Sequence, residues 1–249
     1  MTGAATLWLH RTVERPLAKA RLVCFPHAGG SASFFRDWGE NLHDVEVFAV
    51  CYPGRAERIA EEPPTDLIRL GRDIADAVAA LGDDRPVSLF GHSLGAVVAL
   101  ETARRLEELG RGPARLFASG SRDAPLPGAD EYEDPAPELV AQRLIELGGT
   151  DAELAADPYF QELVLPYIIG DGAMFHAYAN PLKPILRCPV TTIVGDEDVD
   201  ADRRPWRELT ASTLDEHVVP GDHFYLTPRP PYALLQRYLD PASNPAGAE

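Results

Sequence analysis

Apolar residues along this chain fall into short runs that alternate with longer amphipathic stretches. Residues 21–26 (RLVCFP), 45–52 (VEVFAVCY), 86–90 (PVSLF), 115–119, 189–194 (PVTTIV) and 216–219 are runs of strand length. Runs that are apolar on both faces suit strands covered on both sides, as in a parallel sheet. Between them, 65–81 carries Leu67, Leu70, Ile74, Val78 and Leu81 at helical spacing behind Pro63-Pro64, with Thr65 as the expected N-cap. Residues 93–109 read as a helix whose first turns are small (Ala96, Val97, Val98, Ala99), so it can sit close to a sheet. Residues 232–239 read as a closing helix, and the polar tail 241–249 is expected to be disordered. Alternating strands and helices predict one α/β domain over 1–240, a mostly parallel sheet with helices on both faces.

One interval breaks this rhythm. From Ser119 to Pro189 no strong strand pattern occurs, and a structureless loop of that length does not suit a compact domain. The interval has helical patterns of its own, at 137–147 (Leu139, Val140, Leu144, Leu147) and across the richly apolar 160–178. We expect a helical insertion at about 122–186, placed to act as a lid over a site.

Composition narrows the class. The 249 residues, 45% hydrophobic and 25% charged, provide ample material for a core. The formal net charge of -16 argues against nucleic acid or an anionic membrane as the main partner. No run reaches the length of a membrane helix and the N-terminus lacks a secretory pattern, so a cytoplasmic protein is expected. Three widely spaced cysteines, Cys24, Cys51 and Cys188, form no disulfide framework and no metal spacing. The N-terminal cations Arg11, Arg15, Lys19 and Arg21 read as a solvated edge or a local docking patch.

The chemistry centres on LFGHSLGAVVALE at 89–101, where Gly91-His92-Ser93-Leu94-Gly95 matches G-x-S-x-G between a strand and a helix. Such a turn lifts a serine above the sheet at a helix N-terminus, where free N–H groups favour developing negative charge. A serine nucleophile needs a base and an orienting acid, which follow it in the order acid, then histidine. The acidic cluster after the 189–194 strand offers Asp196, Glu197, Asp198 and Asp200; Asp198 is preferred and Asp196 is the runner-up. Of the two later histidines, His217 lies within a strand pattern, whereas His223 follows Pro220-Gly221-Asp222 beyond it and is the expected base. Oxyanion donors are expected from the Leu94 N–H and, in the FPHAGG loop (25–30), from the Ala28 N–H. His27 reads as structural. No cofactor or metal is called for.

Together these pieces resemble the discrete type II thioesterases that accompany polyketide and nonribosomal-peptide assembly lines. The resemblance rests on CFPHAGGSASFF (24–35), YPGRAER (52–58), LFGHSLGA (89–96), SGSRDAP (119–125), VGDEDVD (194–200) with Trp206 behind it, and PGDHFYL (220–226). It implies an α/β-hydrolase fold with a helical lid, the triad Ser93, Asp198 and His223, and the oxyanion donors Ala28 and Leu94. It also implies a thioester substrate on the phosphopantetheine arm of an acyl or peptidyl carrier protein. Three positions depart from the family pattern: Val199 replaces a proline after the acid, and Ile169 and His176 replace an arginine and a glutamate in the lid. Ile169, Met174, Phe175 and His176 are therefore the chamber candidates, and the chamber suits a different acyl group. Arg55 and Arg58 either guide docking or fix the loop after the second strand. The competing readings are a dedicated release or cyclising thioesterase, a carboxylesterase and a non-catalytic hydrolase-fold binding protein.

Overall fold

The computed structural model describes residues 7–121, 135–178, 184–198 and 206–240. In chain order the strands are β1 (Leu9–Arg11), β2 (Ala20–Phe25), β3 (Val45–Val50), β4 (Val87–His92), β5 (Arg115–Ser119), β6 (Val190–Gly195) and β7 (Leu214–Val219). The helices are α1 (Trp38–Asn41), α2 (Leu67–Ala79), α3 (Leu94–Glu108), α4 (Pro137–Glu146), α5 (Ala152–Ala155), α6 (Leu165–Ala177), α7 (Trp206–Leu209) and α8 (Tyr232–Leu239). The strands form one seven-stranded sheet in the order β1-β3-β2-β4-β5-β6-β7. Only β1 runs antiparallel to its neighbour, pairing Leu9 with Val50. The α/β class and the mostly parallel sheet are as the sequence predicts.

Two-residue alternation divides the core between the two faces of the sheet. Val23, Phe25, Leu89 and Leu116 pack on one side with α2 and α3. Leu22, Cys24, Phe90 and Phe117 pack on the other with Phe35, Trp38 and α8. Each large side chain fully withdrawn from water contributes about 1.5–3 kcal/mol, so this double layer dominates the stability. On the first face α2 and α3 approach so closely that a Cβ on Gly71 would stand 2.6 Å from the Cβ of Glu101.

The order of the sheet decides where a site can form. From β2 the chain moves outward to β3, whereas from β4 it moves the opposite way to β5. The loops leaving β2 and β4 therefore diverge, and a crevice opens between them at the carboxyl ends of these adjacent strands. The FPHAGG loop and Ser93 follow these two strands.

Several local expectations need correction. The cap of α2 is Asp66, whose carboxylate accepts from the Arg69 N–H, rather than Thr65; an ionised acceptor one residue later takes the role. The 160–178 pattern is not one regular helix: Phe160–Val164 is a π-helical turn, and α6 follows it. Pro166 has no N–H and its ring crowds the carbonyl four residues back, so the preceding turn widens. The three-residue β1 is too short to leave a pattern. The N-terminal cations divide: Lys19 lies on a solvated edge beside Asp44, as expected, whereas Arg21 is buried against Glu46 and beside Asp83, Arg11 pairs with Glu14 and Glu46, and Arg15 donates to the Gly39 carbonyl. Among the described residues no helix is long and apolar enough to cross a membrane. The tail 241–249 and parts of the expected 122–186 insertion lie outside the described residues.

Candidate active site

Ser93 joins β4 directly to α3 with φ 55° and ψ -124°, a conformation that non-glycine residues rarely adopt. Strain of this kind persists only where its surroundings enforce it. Here they do: the Ser93 N–H is bonded to the Ser119 carbonyl at 2.8 Å, and the Ser93 carbonyl accepts from the Ala96 N–H at 2.9 Å. The flanking glycines make the turn sterically possible. A Cβ on Gly91 would lie 2.2 Å from the Gly95 carbonyl oxygen, and one on Gly95 would lie 2.2 Å from the Phe25 carbonyl oxygen. The Leu94 N–H is the first of α3 and belongs to the group of N–H donors that have no intrahelical acceptor.

Beyond β6 the backbone turns at Gly195, with the Asp198 N–H bonded to the Gly195 carbonyl at 3.2 Å. The Asp198 carboxylate is fully buried and its Oδ2 lies 2.9 Å from His223 Nδ1. Asp196 does something else: it accepts from the Gly221 N–H at 2.9 Å and so braces the loop that carries His223. His217 bonds the Tyr238 hydroxyl at 2.9 Å, among the residues joining β7 to α8. Asp200 and Val199 lie outside the described residues.

His223 rests on a second imidazole. The His92 ring is 4.9 Å from it, and His92 Nδ1 meets the Ser119 hydroxyl at 3.0 Å, which in turn meets the Tyr225 hydroxyl at 2.7 Å. Burial and the neighbouring His223 hold the His92 pKa well below its usual value, so this platform is neutral. Burial first, then His223 and Arg55, also pull His27 down to about 3, in keeping with a structural ring. Gly120, at φ 50°, passes beside the pair. A Cβ there would lie 2.7 Å from His92 Cε1 and 3.3 Å from His223 Cε1.

Ser93, Ala28 and His223 border one cavity of about 340 Å³. Its remaining wall is mostly apolar, from Leu139, Val140, Leu144 and Leu147 of α4 and its end, Ile168, Ile169 and Phe175 of α6, and Phe224. His176 and Arg143 also border it. Met174 does not. It is buried in the core against α2, beside Leu67 and Ile68. Helical spacing explains the division: Asp171, Met174 and Tyr178 form the inward stripe, whereas Ile168, Gly172 and Phe175 face the cavity. The α4 residues were missed as cavity formers. Their spacing signals an amphipathic helix but not what it covers.

Arg55 and Arg58 fix the loop after β3. Both are buried. Arg55 makes a two-pronged pair with Asp171, at 2.7 Å on each side. Arg58 donates to the Cys51 carbonyl at 2.9 Å, pairs with Glu61 and lies 4.1 Å over the Trp8 ring. Neither guanidinium is placed to meet a partner. The three thiols are also not nucleophile candidates: burial raises Cys24, Cys51 to about 11 and Cys188 to about 12.

Known proteins share this architecture. The rat medium-chain S-acyl fatty acid synthase thioesterase (Rattus norvegicus) is 32% identical over 220 residues, 86% of this chain and 84% of that one. The solved structure of the type II thioesterase BorB, from the borrelidin biosynthetic cluster, superposes with a TM-score of 0.81 at 32% identity, over 94% of this chain and 98% of that chain. YbtT, a type II thioesterase from the yersiniabactin NRPS/PKS biosynthetic pathway, superposes with a TM-score of 0.82 at 30% identity, over 95% and 99% of the two chains. With the α/β-hydrolase sheet, the serine turn and these relatives in agreement, residues 20–238 place the chain in the thioesterase domain family.

Proposed function

We propose that this thioesterase hydrolyses acyl groups from the phosphopantetheine arm of acyl or peptidyl carrier proteins, through an ester on Ser93, and that its role is to clear stalled or aberrant chains. The observation that carries the reading is the strained Ser93 turn, which borders one apolar cavity together with Ala28 and an Asp198-bound His223. The type II thioesterase relatives support the pathway context.

In this reading His223 Nε2 takes the Ser93 proton as the oxygen attacks the thioester carbonyl. Asp198 at Nδ1 holds the ring and stabilises the imidazolium. The Leu94 and Ala28 N–H groups receive the oxyanion, each worth about 3 kcal/mol in comparable sites. The intermediate collapses by breaking the C–S bond, and the departing thiol recovers the proton from His223. With a thiol pKa of about 8.5, that departure is easy. Water then attacks the Ser93 ester with His223 as base, releasing the acid and restoring the serine. The segment from α4 to α6 covers the cavity as a lid, and its apolar wall receives the acyl chain.

The deciding experiment is intact-mass spectrometry of a panel of acyl carrier proteins incubated with the wild type and with Ser93→Ala. The expected result is loss of several short acyl groups as free acids with the wild type alone. Turnover of only one elaborate chain would make it a release enzyme. Turnover of oxygen esters but not of carrier thioesters would overturn the reading.

A further inference from the structure

Ala28 is presented by a tight turn in which the Gly30 N–H bonds the His27 carbonyl at 2.9 Å and Gly29 sits at φ 73°. The outward N–H of that turn, on Gly29, is bonded to Oδ2 of Asp171 at 2.7 Å. Asp171 belongs to α6, far along the chain from the turn. The same oxygen also accepts from Arg55, whose second prong reaches Oδ1. The pair is sealed from water, at 4% and 3% side-chain exposure, and the guanidinium lies between the rings of Tyr52 and Tyr167, at 5.4 and 5.6 Å. The turn and helix are flush: a Cβ on Gly29 would meet Ile168 Cγ1 at 2.3 Å.

A planar peptide transmits this constraint. Fixing the Gly29 N–H fixes the plane of the Ala28–Gly29 peptide, and the His27–Gly30 bond fixes the other end of the turn. The Ala28 N–H itself lies in the preceding His27–Ala28 peptide, whose carbonyl the Gly30 N–H holds, so its direction is set by the turn as a whole, and a carboxylate on the helix that walls the cavity anchors that turn. We infer that Asp171 is a positioning residue for the oxyanion hole, holding the Ala28 donor in place through the Gly29 N–H and tying that placement to the seating of α6. The inference rests on Ala28 serving as an oxyanion donor. Asp171 does not touch the reacting atoms. Its effect belongs to the transition state, where a preorganised donor counts most.

Two probes test this on the full chain: a trifluoromethyl ketone analogue of an acyl thioester, which forms a tetrahedral oxyanion adduct with the serine, and the matching thioether, in which a methylene replaces the carbonyl. Asp171→Ala is the direct variant. It strands Arg55 in the interior and risks unfolding, so Arg55→Met/Asp171→Leu, an apolar pair of similar volume, is made alongside it. Circular dichroism establishes which of them fold. The expected result is a kcat for an acyl thioester lowered about 10- to 100-fold, part of what loss of a whole donor costs. KM stays within about threefold, ketone affinity falls by the same factor as kcat, and thioether affinity is unchanged. A folded double variant with wild-type kcat and ketone affinity would overturn the inference. So would equal weakening of both ligands, which marks general collapse of the cavity. A wild type that neither hydrolyses the thioester nor captures the ketone overturns the proposed function instead.

Discussion

Asp196 and Asp198 stand two positions apart on one turn, yet their carboxylates have different partners. Asp198 bonds the His223 ring, and Asp196 bonds the backbone beneath it. Asp198→Asn places an amide against Nδ1 and favours the wrong tautomer, so kcat is expected to fall by about 10³–10⁴ with the fold intact. Asp196→Asn keeps an acceptor for Gly221 and should retain activity within a few-fold. Asp196→Ala loses a hydrogen bond worth about 1 kcal/mol, a melting temperature lower by about 2–4 °C in a chain of this size. Steady-state kinetics and thermal melts on the three variants check this. The sequence already separated these residues in part, because the serine turn and the chain order restrict the acid and the base to few places. Asp171 had no such signal. Its partners, Gly29 and Arg55, are distant in sequence, and only folding brings a lid-helix carboxylate to the loop after β2.

Among the elements, strands and long helices were legible because burial on a sheet imposes period two and burial of a helix face imposes period 3.6. The chamber helix was less so. Apolar residues surround α6, so periodicity chooses no face, and Met174 was expected at the cavity when it packs in the core. The helix also carries Pro166 and two glycines, Gly170 and Gly172, each a poor helix former. Two glycine substitutions separate tight from loose packing. A methyl on Gly170 meets nothing within 4 Å, so Gly170→Ala should stabilise by up to about 1 kcal/mol through helix propensity, raising the melting temperature by about 2–4 °C. Gly95→Ala drives its methyl into the Phe25 and Pro26 carbonyls, 2.2 and 2.5 Å away. We expect it to abolish thioester turnover and to lower the melting temperature sharply. Melting curves and turnover of both variants decide the matter.

For the whole molecule, net charge was readable at once and the use of its cations was not. Arg55 and Arg58 lie in a loop that looked available for docking, but the structure uses both to hold that loop against the body of the protein. With a formal charge of -16, net charge is expected to give no long-range attraction toward the acidic carrier protein proposed as its partner. Raising ionic strength from about 0.01 M to 0.15 M shortens the screening length from about 30 Å to 8 Å. With an acidic carrier protein as substrate, stopped-flow kinetics should show kcat/KM unchanged or higher over that range. A steep fall would reveal a basic docking patch.

The sheet order leaves one more consequence. Ser93 leaves β4 while His223 follows β7, and β5 and β6 lie between. The proposed base therefore serves a nucleophile from across the sheet, and its imidazole passes over the end of β5, where Gly120 occupies the saddle. In a mutagenesis library scored for thioester turnover, position 120 should accept no residue larger than glycine, although Gly120 does not border the cavity. Engineers seeking new acyl preferences should randomise α4 and α6 and leave that single hydrogen atom alone.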